Sequence, residues 1–189
     1  MSFQNQFTKT TTDANLMETV HHGSAEYPFR YYYENIALFD FKCIDWHWHS
    51  ELEFIYIESG NVVFDIGTVH FELNEGNGIM INSKILHRLQ SSSDAIIPNF
   101  LFQPSFIAPQ DSLIYKKYIN PVISSSLEYL VFQPDIPWQK KALEIIKTII
   151  AVQETEFNRE IIVSMSVQQL WILLLENLTF DQFENMGAV

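Results

Sequence analysis

Apolar and polar residues alternate with a short period from Tyr27 to about Gln103, and the period lengthens to that of a helix from Asp135 onward. The runs Y-P-F-R-Y-Y-Y-E and A-L-F-D-F-K-C-I are aromatic and β-branched, which predicts two strands. The stretch Trp46 to Gly60, W-H-W-H-S-E-L-E-F-I-Y-I-E-S-G, predicts a longer strand. Ser59-Gly60-Asn61 reads as a hairpin turn, because Gly and Asn tolerate the positive φ of tight hairpins. N-V-V-F-D-I is then the return strand, and Gly67-Thr68 turns again into V-H-F-E-L. Further strands are expected at G-I-M-I-N, at H-R-L-Q and at I-I-P-N-F-L-F-Q, between the polar loops N-E-G-N-G and S-S-S-D. About eight short strands with turn signals every eight to twelve residues are the pattern of an antiparallel sandwich or barrel. No helix–strand rhythm and no Gly-rich phosphate loop supports a nucleotide-binding fold.

Prolines 104, 109, 121 and 134 punctuate the next stretch, where S-L-I-Y-K-K-Y reads as a short helical turn and S-L-E-Y-L-V-F as a strand rejoining the sheet. Asp135 or Pro137 can start a helix. Ala142, Ile145, Ile146 and Ile149 form its apolar stripe, with Lys140, Lys141, Glu144 and Lys147 alongside. Asn158 can cap a second helix bearing Ile161, Ile162, Met165, Leu170, Trp171, Leu173, Leu174, Leu175 and Leu178. That set covers more than the single stripe a barrel-packed helix needs, which points to a self-complementary interface and a homodimer. The expected organisation is a flexible polar arm (1–24), a barrel (25–134), a helical hairpin for dimerisation (135–180) and a tail (181–189).

Charge narrows the function classes. The chain has 11 Lys plus Arg against 23 Asp plus Glu, a net charge of -12. Nucleic-acid affinity comes largely from cations on phosphates, so this chain alone should bind neither DNA nor an anionic membrane. The single cysteine, Cys43, excludes an intrachain disulfide and a cysteine-based metal site. The run Ile161 to Leu178 is broken by Ser164, Ser166, Gln168, Gln169 and Glu176, too polar to span a bilayer. The first residues lack the apolar core of a signal peptide, so a cytoplasmic protein is expected.

The chemistry gathers at His47, His49 and Glu53. On an extended strand these residues share one face, continued by Ile55 and Ile57, while Trp46, Trp48, Phe54 and Tyr56 take the other. Two imidazoles and a carboxylate on one face form either a metal site or a polar ligand pocket. Burying such groups unpaired costs roughly a few kcal/mol each, so a ligand, a metal, water or one another must satisfy them. Tyr31 to Tyr33 and Trp46 to Trp48 can supply pocket walls, and Arg30 can reach a carboxylate on a ligand. His21, His22 and His70 lack partners at ligand spacing and are expected to be exposed. Glu51 with Glu53 makes no convincing general acid–base pair.

The run His47-x-His49-x-x-x-Glu53, then six residues, then Gly60, matches the first cupin motif. The second motif is partly kept: Gly76 and Gly78 supply its turn, and His87 matches its histidine. Asn82, Lys84 and Ser91 replace its usual proline, glycine and asparagine. Together with G-N-G-I-M-I-N-S-K-I-L-H-R-L and the helical hairpin, residues 25–180 resemble the N-terminal sensor domain of AraC-family transcription regulators. The resemblance implies a mainly β fold with α: a cupin-type (jelly-roll) antiparallel β-barrel followed by a C-terminal two-helix hairpin. It implies a binding module rather than an enzyme. A small polar effector would sit in the barrel against His47, His49, Glu53, His87, Trp48 and Arg30. It also implies a homodimer, with DNA contacted through a helix-turn-helix domain that this chain does not include. The alternative is a metal-dependent cupin enzyme, a dioxygenase or isomerase, in which His47, His49, Glu53 and His87 hold zinc, nickel, manganese or iron.

Overall fold

The alternation seen along the chain builds two antiparallel sheets that face each other. The structure, a computed structural model, describes residues 8–155 and 157–178. The expected tail and the last two hairpin positions, 179 and 180, lie outside the described residues, as do residues 1–7 of the arm. Among the described residues are nine strands: β1 (Phe29–Asn35), β2 (Cys43–His47), β3 (Leu52–Tyr56), β4 (Asn61–Ile66), β5 (Val69–Asn74), β6 (Gly78–Ile81), β7 (His87–Gln90), β8 (Ile96–Phe102) and β9 (Tyr129–Phe132). One sheet runs β1-β8-β3-β6-β9 and the other β2-β7-β4-β5. This is a mainly β fold of two antiparallel sheets, with its helices toward the C-terminus.

Both faces of the five-stranded sheet are buried, by different partners. Ile55, Ile79, Ile81 and Ile97 point inward, where they meet Val62, Phe64, Ile66 and Leu89 of the other sheet. Phe54, Met80, Phe100, Phe102 and Phe132 point outward. Phe54 stacks on Phe100 at 5.3 Å between ring centres. A short turn ending in α1 (Asn120–Ile123), then α2 (Pro137–Ala151) and α3 (Arg159–Asn177), follow the barrel. Leu143, Ile146, Val167, Leu170 and Trp171 of the last two helices close over that aromatic layer. With two buried faces, β3 and β8 read as almost continuous apolar runs.

Three expectations change. Trp46 to Gly60 is not one strand: β2 ends at His47, β3 starts at Leu52, and the two lie in opposite sheets. Ser59-Gly60-Asn61 is therefore a corner between sheets and not a hairpin. Gly60 is required there, because its φ is 81° and a Cβ would lie 2.5 Å from the Asp94 carbonyl oxygen. Residues 37–42 form 3₁₀ turns rather than a strand, with Phe41 and Lys42 at positive φ, and extended backbone starts at Cys43. The true hairpin is β4–β5 across Gly67-Thr68, where Ile66 faces Val69. The strand at 129–132 does rejoin the sheet, against β6. Both long helices form. Asn158 occupies the N-cap of α3 in a left-handed conformation, and its side chain makes no capping bond.

The arm lies against the barrel. Residues Met17 and Trp48 bridge, Thr12 and Glu18 bridge, and the Trp48 indole N–H donates to the Asn15 carbonyl at 2.9 Å. Thr10 Oγ1 accepts from the Asp45 N–H of β2. No helix among the described residues is long and apolar enough to cross a membrane.

Candidate functional site

The crossing between sheets assembles the site. His47 ends β2 and faces His87, which opens β7, within the four-stranded sheet. His49 lies on the connection, and Glu53 points inward from β3 of the opposite sheet. Ring centres are 4.2 Å apart for His47 and His87, and 5.2 Å for His49 and His87. One nitrogen from each of the three imidazoles lies within 4.8 Å of the others. All four residues are buried.

Each imidazole is oriented by a backbone carbonyl. His47 Nδ1 donates to Asp45 O at 2.7 Å, His49 Nδ1 to Glu51 O at 3.2 Å, and His87 Nδ1 to Ile85 O at 2.8 Å. A carbonyl only accepts, so Nδ1 carries a proton in all three rings and Nε2 is the atom left for the interior. Glu53 Oε2 lies 3.3 Å from His49 Nε2 and 3.2 Å from His87 Nε2. The approach to His87 is off the line of a hydrogen bond, so this fully buried nitrogen has no hydrogen-bond partner. Burial pushes the Glu53 carboxyl up, but the His49 hydrogen bond and the close approach of the His87 ring outweigh it and hold it well below the usual carboxylate range. Burial, reinforced by the His87 and His49 charges, pushes His47 well below an ordinary histidine. These are the protonation states a cation needs: an anionic carboxylate and a neutral imidazole.

A cavity of about 50 Å³ adjoins the cluster, and His47, Glu53, Glu34 and Asn99 are among the residues that line it. The arm supplies part of its wall through Glu18 and His22. His22, expected to be exposed, is buried: Nδ1 bonds the Tyr32 hydroxyl at 2.9 Å and Nε2 bonds Glu18 at 3.0 Å. Burial lowers its pKa, and the Glu18 bond and charge outweigh that, leaving it raised. His21 is exposed as expected. His70 is also largely exposed but pairs with Asp65 at 2.7 Å.

Two expected site residues are not brought to the cluster. Trp48 sits between two inward histidines, so its ring turns outward and holds the arm. Arg30 is exposed at the outer end of β1, its guanidinium 5.6 Å from the Tyr32 ring centre. Residues missed from the sequence are Glu18, His22, Glu34 and Asn99. A signal for Glu34 was present in Y-Y-Y-E: the period of two sets Tyr32 and Glu34 on the inward face, so a carboxylate closes a buried stripe.

Comparison with known proteins bears on what this arrangement serves. Residues 39–110 match the family model of the AraC-like ligand binding domain. The chain is 31% identical over 179 residues to the uncharacterized HTH-type transcriptional regulator YdeC of Bacillus subtilis (strain 168), covering 91% of this chain and 61% of that protein. The structure of an apo ToxT variant from Vibrio cholerae strain SCE256 matches with a TM-score of 0.54 at 8% identity, over 89% of this chain and 62% of that one. An RmlC-like cupin from Shewanella frigidimarina NCIMB 400 matches at a TM-score of 0.37 and 14% identity, over 40% of this chain and 67% of that one. The chain thus spans about three fifths of the length of the first two proteins.

Proposed function

We propose that this chain, whose residues 39–110 match the model of the AraC-like ligand binding domain, is the effector-sensing and dimerisation part of a cytoplasmic DNA-binding transcription regulator. It acts as a binding module rather than an enzyme. Its acidic surface leaves DNA contact to a separate C-terminal domain. The effector enters at His47, His49, Glu53 and His87, and binds one arrangement of arm, barrel and hairpin better than another. That preference shifts the population passed on to the DNA-binding part.

One observation carries the choice of occupant: three rings locked through Nδ1 bring one nitrogen each within 4.8 Å of the others, two of them face Glu53, and the buried His87 Nε2 is left without a hydrogen bond. Carbonyl partners behind imidazoles are the usual support of metal-binding histidines. The cavity agrees in size. Organic ligands of drug size occupy roughly 300–1,000 Å³, against about 50 Å³ beside the cluster. A divalent transition ion with a few waters suits that space, and His47, His49 and His87 would hold it, with the Glu53 carboxylate beside two of them. Such an ion supplies a fixed double positive charge. Zinc, nickel, manganese and iron all accept imidazole and carboxylate.

Metal analysis of protein purified without an affinity tag tests this reading. One ion per chain is expected, and none after His47→Ala with His87→Ala. A metal-free protein whose melting temperature rises instead with a sugar, amine or organic acid would assign the site to an organic effector. For dimerisation, Ile161, Met165 and Ile172 form an exposed apolar stripe on α3. Met165→Glu is expected to convert a dimer to a monomer in sedimentation, and a wild-type monomer would remove that part of the reading.

A further inference from the structure

Glu34 is a buried carboxyl that the cluster does not use. It is 7% exposed and has no ion-pair partner among the described residues. Its Oε2 accepts from Asn99 Nδ2 at 3.1 Å, and the same amide nitrogen donates to the Ile97 carbonyl. The amide is thereby fixed, and with it the carboxyl. Asn99 pairs with Ile55 on β3, and Glu53 is two residues along the same inward face. Asn99 thus places the Glu34 carboxyl on the wall that also carries Glu53.

The core between the two sheets is otherwise Ile, Val, Leu, Phe and Ala. A carboxyl with one amide partner is a costly neighbour for such a core, unless something in the cavity bonds it. Burial, and more weakly the charge of Glu53, push Glu34 up to about 7 against the Asn99 bond. The space suits a small species: at roughly 10–15 Å³ per water, the cavity of about 50 Å³ holds about three to five water-sized groups. Its wall carries Glu18, Glu34 and Glu53 with Lys9 as the opposing charge. That balance favours occupants that donate hydrogen bonds and disfavours anions.

We propose that Glu34, held by Asn99, is a second recognition point of the cavity. From the cavity wall it would bind the water or small hydrogen-bond donor that accompanies the ion, and it would exclude anionic co-ligands. This rests on the reading of the cluster as an ion site. Glu34 is thus a positioning residue that selects what accompanies the ion.

Cobalt(II) is the probe, because its visible absorption reports its ligands. Wild type and Glu34→Gln are titrated with cobalt(II), then with formate, and followed by absorption and calorimetry. Circular dichroism of both ion-free proteins checks the fold. The expected result is a changed spectrum and about tenfold weaker cobalt binding in Glu34→Gln, the scale of one charge-assisted bond. Formate is expected to alter the spectrum of Glu34→Gln but not of wild type. Identical spectra and identical formate responses would make Glu34 a structural residue and leave the ion site standing. A wild-type protein that binds no cobalt(II) would overturn both readings.

Discussion

The two faces of the four-stranded sheet carry polar clusters built from adjacent residues, and they differ in one respect. Outside, Asp65 accepts from Arg88 Nε at 3.0 Å and Nη2 at 2.8 Å, and pairs with His70 at 2.7 Å. The Arg88 guanidinium lies 5.2 Å from the Trp46 ring centre. Inside, one residue along from Trp46 and one back from Arg88, His47 and His87 turn toward Glu53, and a buried nitrogen is left over. The outer cluster is chemically closed and the inner one is open. A closed set stabilises what it joins. An open set buried in a barrel has a cost that only an occupant offsets.

The largest test of that contrast is His87→Ala. Cobalt(II) or zinc affinity should fall by more than about 100-fold, beyond the loss typical of a supporting residue. The ion-free protein should lose only about 1–2 kcal/mol, from the Nδ1 bond to Ile85 and the packing of a buried ring, because Nε2 contributes no hydrogen bond of its own. A large loss of ion-free stability would mean that the inner cluster is closed by its own contacts, and the contrast would fail.

Glu34 gives the next effect, read through pH. Its carboxyl is raised from 4.5 to about 7, so the folded protein holds that proton more tightly than the unfolded chain. Its contribution is complete below about pH 4.5 and is lost as pH rises toward 7, a fall of about 3 kcal/mol at most. Glu34→Gln should flatten this part of the stability–pH curve, measured by urea unfolding at pH 5 and pH 8. Equal slopes in the two proteins would place the Glu34 carboxyl in contact with solvent. On the outer face the sign reverses. Burial raises Asp65, but His70 and Arg88 outweigh it and hold the carboxyl below its ordinary value. That contribution is present at neutral pH and is lost only as pH falls through the depressed pKa.

Asp65→Ala should be smaller, about 1–2 kcal/mol, because Arg88 keeps partial access to water. Ion affinity should not change. A shift in both would show that the sheet transmits strain between its faces.

How much of this was legible in the sequence follows from the range of each contact. The helical period of α2 and α3 and the His47-x-His49-x-x-x-Glu53 spacing are local, and they identified the hairpin and three members of the cluster. The same local logic misplaced their backbone. Residues 48–51 carry the chain from one sheet to the other, so His47 and Glu53 converge across the barrel rather than along one strand. Glu34 meets Asn99 across 65 residues through the pairing of β1 with β8. No short window contains that pairing. His22 was misread for the same reason, since its burial depends on Tyr32 and on how the arm lies over the barrel.

The smallest expected effect is the most discriminating for the two faces. Trp46 contributes a ring beneath Arg88, and Trp46→Leu should cost about 0.5–1 kcal/mol from the lost cation–π contact at a half-buried site. Asp65 should keep Arg88 in place, because its two bonds to that side chain do not involve the ring. Cobalt(II) affinity and spectrum should then match wild type, although residue 46 adjoins the ligand His47 in the backbone. The reason is local: His47 is oriented by the carbonyl of Asp45 within its own strand, and not by the outward ring. A cobalt spectrum altered by Trp46→Leu would mean that β2 shifts as a unit. The outer cluster would then be part of the site's support rather than a separate, closed structure.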